Sequence, residues 1–146
     1  MSGMRELSSH IFEVASRNSL PVTNLHLQKV MYFSLGFHMR NTGEIDTLAR
    51  ETYDMPFEKW QYGPVVPTVY YSYNHFREKS IVTKGTYSSD YASWDQVILN
   101  LLGVDAFKLV QTSHELKGWA DYRDDILNRR YVRPYTLEEI LGDFKK

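Results

Sequence analysis

The sequence predicts a mainly α protein: a single compact helical domain with a small β-hairpin or short sheet. Three observations carry that expectation. Apolar residues recur at helical spacing in the first and last thirds of the chain. Turn-forming clusters interrupt the spacing often enough for the helices to fold back on one another. Only the stretch over residues 44–62 loses the helical period, with Pro56 set among short aromatic pieces. At 146 residues the chain has the length of one domain and can bury a core.

Met4, Leu7, Ile11 and Val14 predict a first amphipathic helix, ending near Asn18 because Pro21 disfavours helix just before it. Thr23 or Asn24 can cap a second helix, "LHLQKVMYFSLGFHMR". Leu27, Val30, Met31 and Leu35 form one face of it, while Phe33 and Phe37 lie off that face. A helix apolar on several sides sits at the centre of its fold. Residues 41–43 stop it. Residues 44–62 read as irregular chain or a hairpin, and Pro67 suits the first turn of a third helix. The inward stripe of that helix is Val66, Val69, Tyr70, Tyr73 and Phe76. "SIVTK" predicts a short strand over residues 80–84.

The last third is helical again. Trp94, Val97, Ile98, Leu101 and Leu102 make one helix stopped at Gly103, and Asp105 caps "AFKLVQTSHEL". Gly118 sets off "WADYRDDILNRR", and Thr136 with Glu139 forms a capping box for a last helix. Five to seven helices are expected around the central one at residues 24–41.

Composition narrows the function classes. Basic and acidic residues number 17 and 18, a net charge of −1, which offers no whole-protein field for nucleic acid or an anionic membrane. With no cysteine, disulfides, thiolate catalysis and cysteine-ligated metals are excluded. The N-terminus carries no secretory pattern and no apolar run approaches the ~20 residues of a membrane span, so a soluble cytoplasmic protein is expected. His10, His26, His38, His75 and His114 show no metal-helix spacing, and no phosphate-loop, dinucleotide or nucleophile-elbow motif occurs. No cofactor, metal or catalytic residue is therefore assigned.

Two patterns remain as binding candidates. "NRRYVRPY" interleaves Arg129, Arg130 and Arg133 with Tyr131 and Tyr135, a combination able to grip phosphates and stack bases, or simply to complement a helix end and nearby acids such as Asp124 and Asp125. Tyrosine and tryptophan are also enriched at protein interfaces. Tyr71 points away from the inward stripe of the third helix. Tyr71, Arg130 and Tyr131 are thus the partner-binding candidates. The alternatives are a small hydrolase using His114 in a cleft near Tyr62, or a nucleic-acid-binding regulator using the three arginines.

"LHLQKVMYFSLGFHM", "PFEKWQYGPVVPTVYYSYNHF" and "LVQTSHELKGWADYR" occur in that order. Together they resemble the Panacea domain of phage-associated proteins and of antitoxins in two-gene toxin–antitoxin systems. The matching positions are Leu27, Gln28, Lys29, Tyr32 and Phe33; then Trp60, Tyr62, Gly63, Pro64 and Val65; then His114 with Trp119. They cover about residues 7–125, with residues 126–146 a C-terminal helical extension of the one domain. Ser113 departs from the pattern, lying between Thr112 and His114 where the family usually has threonine directly before histidine. The resemblance implies a non-catalytic domain that neutralises a cognate protein toxin by binding it, in some members as an adaptor delivering the toxin to a cellular protease. Neither a membrane nor nucleic acid is an expected partner.

The motif residues are expected to be structural. Gly63, Pro64 and Pro67 build a rigid turn, with Gly63 at positive φ, and Val65, Val66 and Trp60 lock it onto the second helix. Gln28 and Lys29, polar in an apolar helix, should hydrogen-bond to the backbone of that turn.

Overall fold

The computed structural model describes residues 2–145. The elements are α1 (Met4–Arg17), α2 (Asn24–Thr42), α3 (Thr47–Thr52), β1 (Glu58–Trp60), β2 (Gly63–Val65), α4 (Pro67–Tyr73), α5 (Asp95–Leu102), α6 (Ala106–Glu115), α7 (Lys117–Ala120), α8 (Arg123–Leu127) and α9 (Leu137–Phe144). Short 3-10 turns follow α4 and precede α5. The two strands form one antiparallel hairpin. The mainly helical class with a small hairpin is what the sequence predicts. No helix among the described residues is long and apolar enough to cross a membrane.

α2 is the axis, and its neighbours are α1, α5, α9 and β2. The Thr23 hydroxyl caps it by accepting from the His26 amide, and Gly43 ends it at φ +75°. Leu27, Val30, Met31, Leu35 and Met39 are fully buried, as is Tyr32, and Phe33 is buried too. Phe144 of α9 packs edge-on against Tyr32, Phe33 and Phe37, with ring centroids 5.2–5.5 Å apart. A Cβ at Gly36 would lie 2.5 Å from that ring, so α2 carries a glycine where the aromatic of α9 must seat. The C-terminal extension is therefore part of the core. The capping box of α9 is complete: Thr136 accepts from the Glu139 amide, and Glu139 accepts from the Thr136 amide.

Four expectations are corrected. Nine α-helices occur among the described residues instead of five to seven, because the stretches read as single helices break. α3 was hidden in the stretch read as irregular; Asp46 caps it by accepting from the Ala49 amide. Residues 80–84 form no strand. They have no sheet to join and make one isolated bridge, Ser80 to Thr23, so β propensity there finds no pleated surface. Gly118 lies inside α7, and the break falls at Leu116, which is extended at ψ 142°.

Candidate functional site

The Tyr-Gly-Pro-Val stretch forms the turn and second strand of the hairpin, with Glu58 paired to Val65, Lys59 to Pro64 and Trp60 to Gly63. Gly63 has φ +99°. A Cβ there would meet the Ser113 hydroxyl at 2.6 Å and Lys29 Cε at 3.1 Å, so both conformation and space demand glycine. Ser113, the departure from the family pattern, donates to the Val110 carbonyl at 2.7 Å and supplies a small wall for Gly63.

Four polar motif side chains, Gln28, Lys29, His114 and Trp119, end on the main chain of this hairpin or of the residue after it. Proline has no N–H, so the Lys59–Pro64 pair cannot exchange both ladder bonds, and the Pro64 carbonyl faces away from β1. Lys29 Nζ donates to it at 2.9 Å. Gln28 Oε1 accepts from the Val66 amide at 2.9 Å, and its amide donates to Asn24, which in turn donates to the Tyr70 carbonyl of α4. From the opposite side, Trp119 Nε1 donates to the Trp60 carbonyl at 2.8 Å and His114 Nε2 to the Gln61 carbonyl at 2.9 Å. The His114 ring stacks on Trp119 with centroids 3.8 Å apart. α2 thus holds the hairpin from below, and α6 and α7 hold its tip from behind. Trp60 packs its ring on Tyr70 and Tyr71 of α4, at 5.1 and 6.1 Å.

Burial sets the electrostatics. Lys29 is fully buried, and loss of solvation draws its amine from 10.5 down to about 7. Lys59 is also lowered, chiefly by burial, against the opposing pull of Glu139 at 3.0 Å. Burial lowers His114, opposed by its bond to Gln61. The two histidines that meet carboxylates have no nitrogen to spare. His10 bonds to Asp95 at 2.7 Å while its Nδ1 accepts from the Ser88 amide. His38 bonds to Asp46 while its Nδ1 accepts from Trp94 Nε1. Neither ring keeps a lone pair for abstracting a proton.

The hairpin tip divides two open grooves, and Trp60 and Gln61 line both. The first, about 1240 Å³, runs between the start of α2, α4 and the α5–α6 connection, with Tyr62, Tyr70 and Phe107 in its walls. Tyr62 is 53% exposed, Phe107 61%, and Tyr71, packed against Trp60 and Tyr70, 59%. The second, about 740 Å³, lies between β1 and residues 126–134 and contains Leu127, Arg129, Arg130 and Tyr131. The three partner-binding candidates therefore flank one hairpin, Tyr71 on the first side and Arg130 with Tyr131 on the second. Arg130 is engaged by Asp125 at 2.8 Å, and Arg133 lies 3.7 Å from Glu139 and over the Tyr122 ring. Arg129 is the member of the basic knot with no acidic partner among the described residues, which leaves little field for a nucleic-acid backbone. Sequence reasoning passed over Phe107, whose signal was an aromatic off the Leu109–Val110–Ser113 face. It also passed over Lys59, whose burial no local pattern announces. No cluster of metal-binding side chains is present among the described residues.

The family described as "Antitoxin SocA-like, Panacea domain" matches residues 27–120, the span that holds the hairpin together with Gln28, Lys29, His114 and Trp119. Antitoxin SocA of Caulobacter vibrioides (strain NA1000 / CB15N) is 30% identical over 80 residues, which are 55% of this chain and 39% of that antitoxin. The chain thus matches well under half the length of this relative. No solved structure matches it significantly. The family's name denotes an antitoxin, which suggests a non-enzymatic role. With most of its length matched, and with Gln28, Lys29, His114 and Trp119 converging on the one hairpin, this chain belongs to the SocA-like antitoxin family with the Panacea domain.

Proposed function

We propose that this protein neutralises a cognate protein toxin by direct binding, through the surface around the hairpin tip. One observation carries the reading. The polar ends of Gln28, Lys29, His114 and Trp119 are consumed in fixing the hairpin, while Tyr62, Tyr71 and Tyr131 stand exposed around it without burying their rings. A rigid mount bearing solvent-facing aromatics beside open grooves has the composition of an interface centre, where tyrosine and tryptophan supply large contact area at low entropic loss. The family resemblance extends the reading to a second step, delivery of the bound toxin to a cellular protease.

Co-expression with the product of the adjacent gene tests it. Growth rescue with a complex that survives purification is the expected result. Rescue without any complex would instead favour enzymatic removal of the toxin or its product. Delivery to a protease is read separately, as a shorter toxin half-life when this chain is present.

A further inference from the structure

We infer that the outer edge of β1 receives an extended, acidic segment of the partner, which adds to the hairpin as a third strand and places a carboxylate against Arg129. This rests on the reading that the partner is a protein toxin.

The main-chain groups on both outer edges of the hairpin can be followed one by one. Along β2, Lys29 takes the Pro64 carbonyl and Gln28 takes the Val66 amide, so that edge is closed. Along the outer side of β1, Phe57 is closed too: its amide donates to the Tyr53 hydroxyl at 3.0 Å, and its carbonyl accepts from the Tyr135 amide at 2.9 Å. Two residues on, the N–H and C=O of Lys59 face the same way, because the pair with Pro64 is not a hydrogen-bonded one. No bond to either group is found among the described residues. Lys59 is 6% exposed although its side chain is 0% exposed, so the accessible part is main chain, and it opens into the second groove. Residues from 126 to 134 line the far wall of that groove, and none of them makes a main-chain bond to Lys59. An open donor and acceptor on a strand edge are a template for a further strand.

Arg129 gives the sign of the guest. The end of α8 is a Schellman motif: the Arg130 amide donates to the Asp125 carbonyl at 2.8 Å and the Arg129 amide to the Ile126 carbonyl at 3.1 Å. Arg129 occupies its left-handed position, at φ +58°. Glycine is the residue that sits there without steric penalty, so the arginine carries a local conformational cost, as Ser19 and Arg77 do at φ +54° and +55°. Its guanidinium is exposed, has no acidic partner among the described residues, and lines the groove facing β1. Leu127 and Tyr131, both exposed, offer apolar contact on the same wall.

The test uses the whole chain, the intact toxin encoded beside it and overlapping short peptides tiling that toxin. In the free chain the Lys59 amide should exchange rapidly with solvent, and binding of toxin or of one acidic peptide should protect it. Arg129→Gly should melt at or above the temperature of the parent yet bind the toxin about tenfold more weakly. If toxin binds and growth is rescued while the Lys59 amide stays unprotected and Arg129→Gly binds like the parent, the strand-addition proposal is overturned and the antitoxin reading stands. If the intact toxin forms no complex at all, both fall together.

Discussion

Lys29→Met should make this protein more stable at neutral pH and less stable at high pH. In the native state the amine is buried and its pKa drops from 10.5 to about 7, while in the unfolded chain it remains near 10.5. Between those values the unfolded chain holds a proton that the folded one has released, so stability rises with pH across that window. At about 1.4 kcal/mol per pH unit, the whole interval from about 7 to 10.5 amounts to roughly 5 kcal/mol, withheld from the parent at low pH and restored by the upper end. Methionine fills the same stem volume without the amine, which removes the burden. It also leaves the Pro64 carbonyl without its 2.9 Å donor, a loss of about 1–3 kcal/mol. The net expectation is a gain of about 2–3 kcal/mol at pH 7.

By pH 9 the parent should have recovered about 2 kcal/mol that the variant never lacked. The two stability curves should therefore meet near that pH and cross above it. Urea unfolding of both proteins at pH 7, 8 and 9 measures this directly. Burial pushes Tyr32, Tyr53 and Tyr135 above the ordinary tyrosine range, and they bend both curves downward above about pH 10. They are common to both proteins and cancel in the difference. A difference that stays constant from pH 7 to 9 would mean that Lys29 keeps its proton on folding, and the account of its burial would be wrong.

Three further outcomes are expected. Gly63→Val sets a β-branched residue at φ +99°, with its Cβ 2.6 Å from the Ser113 hydroxyl; it should lose at least about 1–3 kcal/mol, and a melt overlaying the parent would refute this. His114→Ala removes the bond to Gln61 and the stack on Trp119. It should lower stability by about 1–2 kcal/mol, whereas an unchanged melt with function abolished would restore a catalytic histidine. Alanine at Tyr71, Arg130 or Tyr131 should leave the melt nearly unchanged and, at a true hot spot, weaken toxin binding by roughly 2 kcal/mol in a titration; full binding by all three variants would move the interface elsewhere.

Local signals explain what was legible in the sequence. The stripe of α1, the all-round apolar surface of α2, the caps at Thr23, Asp105 and Thr136, and the glycine before Pro64 each follow from residues within a turn or two of one another. α3 had a local signal as well, Asp46 three residues before Ala49, but it is only six residues long and lies among prolines and aromatics that point to irregular chain. The strand expected over residues 80–84 failed because β propensity describes a surface to be packed, and among the described residues the segment makes a single bridge, to Thr23. The bonds of Gln28 and Lys29 could be anticipated, since a buried polar group in an apolar helix must find a partner. The open edge at Lys59 and the isolation of Arg129 could not. Both depend on how residues 126–134 lie across β1, a relation between segments far apart in the chain.

The seating of Phe144 over Gly36 has a consequence for how this protein is made. The apolar circumference of α2 is synthesised before α9, and the ring that closes it belongs to α9. Until then Tyr32, Phe33 and Phe37 are uncovered on one side, and the closing contacts span a long stretch of sequence, which makes them late to form. A ribosome-bound or C-terminally clipped chain thus presents an aromatic flank of the kind that quality-control proteases and chaperones act upon. Docking of α9 over Gly36 is therefore the step that covers this flank, and a chain halted before Phe144 is expected to be degraded faster than one that has passed it.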